Sequence, residues 1–384
     1  MKTIKLSLIA AMAASSISVA SAQNLSDKTI KTLENLAQTI ENINVSGTAV
    51  YRYNDYQNSD AQDYYKIAAS VDSQVNDEIT FQSRIIVGDK TNPASFNTSS
   101  DADSNVEITL SEMNFVYTGI EDTPITLGKQ AIDTPFTVQR SSIGDEQLGT
   151  GLTAKTKLAN TTFGLGYFNT TNLVDSGHRK SDFTGKEAAN FTYVSAKTSV
   201  SAIKVDASYA KVSDIFDMYT VGLSTGTTVS DLKLSAFTRY SALDYDNSND
   251  TNSLIKAGVK VSSGIYGAFL AYGKTDKEGG KVGLDDGANT GFDEHWRVTL
   301  SGINDASTIY ASVNAQVSPQ VNLALKYSDL SAGDASSDVD QNEIYLQVAH
   351  KMSSNLKSYI RLGQYDKDGS ETQNMGRLNI TYSF

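Results

Sequence analysis

From Asn42 to its last residue the chain follows a two-residue rhythm. Ile43, Val45, Gly47, Ala49, Tyr51 and Tyr53 alternate with Asn44, Ser46, Thr48, Val50, Arg52 and Asn54, the period of a strand with one apolar and one polar face. The rhythm returns in Ile79, Phe81, Ile85 and Val87 against Thr80, Gln82 and Arg84. It returns again in Ile203, Val205, Ala207 and Tyr209, and in Ile309, Ala311, Val313, Ala315 and Val317. No linker or shift of composition interrupts it, so 42–384 reads as one domain. Before it, Ile30, Leu33, Leu36, Ala37 and Ile40 fall at helical spacing and predict a short amphipathic helix over 25–41, within an extension at 23–41.

Connections between the strands alternate in length. Short turns are predicted at Asn76-Asp77, Ala159-Asn160, Val200-Ser201, Ser230-Asp231, Ser263-Gly264, Pro319-Gln320 and Ser353-Ser354. Long polar loops fall at 54–62, 89–104, 131–147, 170–187, 242–252, 275–307, 331–340 and 367–373. A soluble sandwich has no reason for this asymmetry. An outer-membrane barrel has one, with turns in the periplasm and loops outside. Strand direction then sets the count: 265–274 runs outward, and 308–317 must run inward if 374–384 is to end in the periplasm. His295 to Ile303 therefore folds within an external loop. The expected fold is an all-β transmembrane antiparallel barrel of 18 strands, or 16 if 203–228 is misread.

Both ends of the chain agree with export. Lys2 and Lys5 precede an apolar run from Leu6 to Ala14 and the small residues Val19-Ala20-Ser21-Ala22, which predicts a signal peptide over 1–22, cleaved after Ala22. At the other end Leu378, Ile380, Tyr382 and Phe384 alternate with Arg377, Asn379, Thr381 and Ser383. A terminal aromatic on an alternating strand resembles the signal read by the barrel assembly machinery.

Composition narrows the chemistry. With 44 acids against 32 bases, the net charge of −12 argues against nucleic acid as a partner, because a nucleic-acid groove wants a basic surface. Cysteine is absent, which removes thiolate catalysis and disulfide frameworks. His178, His295 and His350 are the only imidazoles, and no nucleophile motif lies beside them, so an enzyme is not expected. The 20 tyrosines suit aromatic girdles at the two headgroup levels, with Tyr51, Tyr53, Tyr209, Tyr327 and Tyr382 as candidates.

Strand parity turns Arg52, Lys66, Arg84, Lys357, Arg361 and Arg377 toward the lumen. Closure brings the last strand beside the first, so these six form one basic arc. Lys155, Lys157, Lys204, Lys256 and Lys260 are further lumen candidates. Asp285, Asp286, Asp293 and Glu294 read as part of a solvated loop.

Several short motifs, in order, resemble the Campylobacter-type major outer membrane porins. They are Val45-Ser46-Gly47 with Tyr51-Arg52-Tyr53, Gly128-Lys129-Gln130, Gly149-Thr150-Gly151 and the Phe384 ending. The resemblance implies a homotrimer in a Gram-negative outer membrane, in contact with lipopolysaccharide, passing ions and small hydrophilic solutes through a pore narrowed by its third external loop. Such a fold would set Asp133, Asp145 and Glu146 across from the arginines as a transverse field. No cofactor is required on this reading, although a divalent cation such as calcium is an expectation at those acids. The alternative is an adhesin or structural barrel with a plugged lumen.

Overall fold

The computed structural model describes residues 43–88, 108–333 and 340–384. The signal segment at 1–22 and the helix expected over 25–41 lie outside the described residues.

The alternating segments form eighteen strands. The first nine are β1 (Ile43–Tyr56), β2 (Gln62–Gln74), β3 (Ile79–Val87), β4 (Ile108–Tyr117), β5 (Ile125–Ala131), β6 (Leu148–Leu158), β7 (Thr161–Thr171), β8 (Phe191–Val200) and β9 (Ile203–Val212). The second nine are β10 (Phe216–Val229), β11 (Leu232–Tyr245), β12 (Thr251–Ser263), β13 (Tyr266–Thr275), β14 (Ser307–Gln316), β15 (Val321–Ser331), β16 (Gln341–Lys351), β17 (Leu356–Lys367) and β18 (Gln373–Ser383). Each strand pairs antiparallel with its chain neighbours, and β18 pairs with β1. The sheet has no free edge, so every strand finds its backbone partners inside the barrel wall, as hydrocarbon demands.

The closing seam is tight. Gly47 and Phe384 exchange backbone hydrogen bonds of 2.9 and 3.0 Å. A Cβ on Gly47 would lie 2.4 Å from the Ala68 carbonyl oxygen and 2.5 Å from the Phe384 ring, so only glycine admits the last side chain there.

One end of the barrel carries short turns, and four of them place a residue in the left-handed region: Ala159 at φ 52°, Ser201 at 56°, Ser230 at 56° and Gly264 at 55°. That backbone twist matches the strands it joins. The loop end differs from expectation in three places. β1 and β11 run further than foreseen, leaving loops of only 57–61 and 246–250, and β9 joins β10 through 213–215 alone. The strands at 203–212 and 216–229 are both present, and the long 276–306 loop contains His295 to Ile303, as strand direction required.

Outside, the barrel is apolar: Ile67, Leu110, Phe115, Leu127, Val259 and Leu362 are among the large side chains left exposed. A continuous apolar exterior needs lipid as its solvent. Inside, the wall is not uniformly polar. The loops 132–147, 172–190 and 276–306 fold onto the inner face, where Ile132, Phe136, Leu173, Phe183 and Leu284 pack against wall residues Phe168, Phe191, Val212, Phe216, Met218 and Leu243. A second cluster joins Val282, Phe292, Val298 and Leu300 of the last loop to Leu254, Ala271, Tyr310 and Leu330. Each such side chain contributes about 1.5–3 kcal/mol on full burial. These strands are therefore apolar on both faces near the loop end.

Candidate functional site

The 132–147 loop is strapped to the inner wall by one carboxylate. Glu146, its side chain 1% exposed, lies 3.1 Å from Lys66 Nζ on β2 and 2.8 Å from Arg84 Nη2 on β3. Arg84 Nε donates to its other oxygen at 3.0 Å. Lys66 Nζ also donates to the backbone oxygens of Ser141 and Gly144, at 3.0 and 2.9 Å. Arg140 of the strap pairs with Glu112 on β4. Burial raises the Glu146 carboxyl, but the Arg84 hydrogen bonds and the charges of Lys66, Arg84 and Arg140 outweigh it, leaving it below the ordinary range.

This geometry corrects the expected transverse field. Glu146 touches its cations instead of facing them across water. Asp145 lies 3.5 Å from Lys180 on the 172–190 loop, and Asp133 lies 2.7 Å from Lys155 on β6. Glu146, Asp145 and Asp133 thus each form an ion pair with different basic residues. Among the described residues no group of three or more His, Asp or Glu is arranged to hold a metal.

Of the six basic residues on the predicted arc, Lys66 and Arg84 thus share one carboxylate. Arg52, Arg361 and Arg377 meet no carboxylate among the described residues, and they stand on the adjacent strands β1, β17 and β18. Arg361 is the direct cross-strand partner of Arg377, and Arg377 is that of Asn54. Their hydrogen bonds go to neutral acceptors. Arg52 Nε donates to Asn379 at 2.9 Å and its Nη2 to Ser142 of the strap at 3.2 Å. Arg361 Nε donates to Gln347 at 2.7 Å, and Arg377 donates to Asn54 at 2.7 Å and Tyr56 at 2.8 Å. Lys357 lies nearer the turn end. It lines with Arg52, His350 and Lys351 a cavity of about 760 Å³. A neighbouring cavity of about 700 Å³ is lined by Lys233, Lys260 and Lys326. Neither cavity has an acidic lining residue among the described residues.

Part of the site was invisible in the strand pattern. Glu343 of β16, fully buried, accepts the backbone N–H groups of Trp296 (2.7 Å), Arg297 (2.6 Å) and Val298 (3.3 Å), and the Ser328 hydroxyl at 3.1 Å. This nest holds the tip of the 276–306 loop against the arginine wall. The Trp296 ring lies 5.6 Å from the Arg361 guanidinium and 5.4 Å from that of Arg377, while Arg297 covers Tyr56 at 4.8 Å and Tyr365 at 5.5 Å. The available signal was a lone tryptophan beside an arginine inside a loop too long to be a simple connection.

Two of the histidines pack or pair within the loops. Burial holds His295 down to about 4, and it stacks on Phe292 at 4.8 Å. His178 pairs with Asp286 at 2.7 Å and joins the 172–190 loop to the 276–306 loop, so the acids at 285–294 are not simply solvated. Burial, then the charges of Glu294 and Asp285, pushes Asp293 up to about 6. One G-x-S-x-G string occurs, Gly222 to Gly226, but it runs through β10 and lacks the strand-to-helix turn that exposes a nucleophile.

With this geometry in hand, likeness to known structures can be placed. OpdK of Pseudomonas aeruginosa, solved with vanillate, superposes with a TM-score of 0.75 at 12% identity, covering 90% of this chain and 99% of that one. The fold is that of an outer-membrane porin. OccK2 (OpdF) of the same organism, in complex with glucuronate, gives 0.72 at 12% identity over 90% and 98% of the two chains. OccAB4 of Acinetobacter baumannii gives 0.68 at 14% identity over 89% and 97%. No family model matches the chain, and no curated protein does.

Proposed function

We propose that this protein is a channel of the Gram-negative outer membrane for ions and small hydrophilic solutes, with anions favoured. The observation that carries the reading is the run of Arg52, Arg361 and Arg377 on adjacent strands, each hydrogen-bonded to neutral groups. Guanidiniums that meet no carboxylate among the described residues keep their field for a passing solute. On this reading the solute passes beside that wall, with loops 132–147 and 276–306 together narrowing the path. The neighbours solved with vanillate and glucuronate support carboxylate-bearing solutes as a class to try first. The protein as a whole is acidic, yet the wall at the narrowing is basic, and the local charge governs permeation.

Assembly as a homotrimer in contact with lipopolysaccharide, after insertion by the barrel assembly machinery, is part of the same proposal. Affinity to the Campylobacter-type porins in particular rests on the short motifs alone. The rival reading, a barrel with a closed lumen, draws on the two apolar clusters that fill the loop end. Planar bilayers separate the two: stepwise conductance with reversal potentials favouring chloride over potassium supports the channel, and a silent bilayer with folded protein refutes it.

A further inference from the structure

Arg361 and Arg377 face each other directly across β17 and β18, a position in which like charges repel. Neutral acceptors fix one edge of each: Gln347 takes the Arg361 Nε, and Asn54 and Tyr56 take the Nε and Nη2 of Arg377. Neither acceptor set controls how the two planes tilt. Tyr359 and Tyr345 lie 4.9 and 5.3 Å from the Arg361 guanidinium, but among the described residues Trp296 is the ring within 5.6 Å of both guanidinium carbons. The indole is itself braced, packed edge-on to Tyr345 at 5.1 Å and Tyr56 at 6.2 Å. Its backbone hangs from the Glu343 carboxylate. That carboxylate is buried under amide donors and so holds the loop without approaching the arginines as a counter-ion.

We propose that Trp296 is a positioning residue that turns this pair of like charges into a reader of planar carboxylates. The inference rests on the anion-channel reading above and extends it. Charge alone attracts chloride and acetate equally well. A carboxylate gains more only if two N–H groups are presented side by side at a fixed tilt, and a ring stacked on both guanidiniums is what fixes it. Removing the ring leaves both charges in place and Arg361 still against Tyr359 and Tyr345, but frees the Arg377 plane, which among the described residues meets no other ring, to rotate away from it.

The test uses the full-length protein in planar bilayers. A potassium chloride gradient first establishes whether the wild type prefers anions; if it does not, the anion-channel reading fails, and this one with it. Potassium acetate against potassium chloride then gives the acetate-to-chloride permeability ratio. In W296L that ratio should fall by about threefold or more, while the chloride-to-potassium ratio changes less than about twofold, because no charge is lost. W296F should keep most of the wild-type ratio. An anion-selective W296L with an unchanged acetate ratio overturns the proposal. So does a W296L in which both ratios change together, since that is the mark of a packing role. Should the variant fail to fold, wild-type fluorescence decides, because the chain has one tryptophan. Emission should change saturably with potassium acetate and not with potassium chloride at equal ionic strength; an equal response to both salts refutes carboxylate reading.

Discussion

Replacing Glu146 with glutamine removes the charge that Lys66 and Arg84 share. The side chains of the three are 1%, 6% and 10% exposed, so this is a buried cluster, and deleting one partner of a buried pair costs about 3–5 kcal/mol. At about 1.4 kcal/mol per decade, the ratio of docked to undocked strap should fall by roughly two to three and a half orders of magnitude. The loss should stay local. Ile132 and Phe136 remain in the apolar cluster, and Val138 N–H still donates to Gln147 at 2.8 Å, which leaves 139–146 as the segment set free. Arg140 lies within it, so trypsin should cut E146Q after Arg140 and spare the wild type, with the fragments identified by mass spectrometry. Single-channel current should become noisier in the same variant. The pH dependence has a definite sign. The Glu146 carboxyl is held below its ordinary 4.5, so the clamp is complete above that value and is lost as pH falls through the depressed one. The wild type should acquire the E146Q phenotype only in acid, whereas E146Q itself should show no such transition. Equal trypsin resistance at Arg140 and equal noise at neutral pH would refute the clamp.

Arg361→Gln removes one charge from the wall; at about 5 Å in water a unit charge is worth about 0.8 kcal/mol, or about fourfold in local anion occupancy, so the anion-to-cation permeability ratio read from reversal potentials in a salt gradient should fall by about that factor. Gly47→Ala drives a methyl into the Ala68 carbonyl and the Phe384 ring, and should weaken closure enough to lower the temperature at which the folded barrel converts to the unfolded band on a gel; an unchanged conversion temperature argues against a tight seam. His178 is raised to about 9, chiefly by its hydrogen bond to Asp286, so the link between loops 172–190 and 276–306 is complete below its ordinary 6.5 and fades as pH rises through about 9. Loop proteolysis should therefore quicken above about pH 9 in the wild type, and at all pH values in D286N.

The chain's own text settled the barrel. A period of two from Ile43 to Phe384, with turns and loops alternating, leaves a closed sheet in lipid as the arrangement that satisfies every backbone group, and parity follows from the pleat. Inward placement of Arg52, Arg361 and Arg377, and their meeting across the seam, required nothing more. Loops carry no such period. That Glu146 would land on Lys66 and Arg84 instead of facing them, or that Trp296 would lie against arginines of β17 and β18, depends on side-chain reach and on how three loops pack together. The apolar inner faces of β8 to β12 could not be told from lipid-facing residues by pattern, because burial against a folded loop and burial in hydrocarbon select the same side chains. Alternation is a local property of the backbone; the lumen is made by contacts between segments far apart in the chain, and only their three-dimensional packing decided which charges remain free to act on a solute.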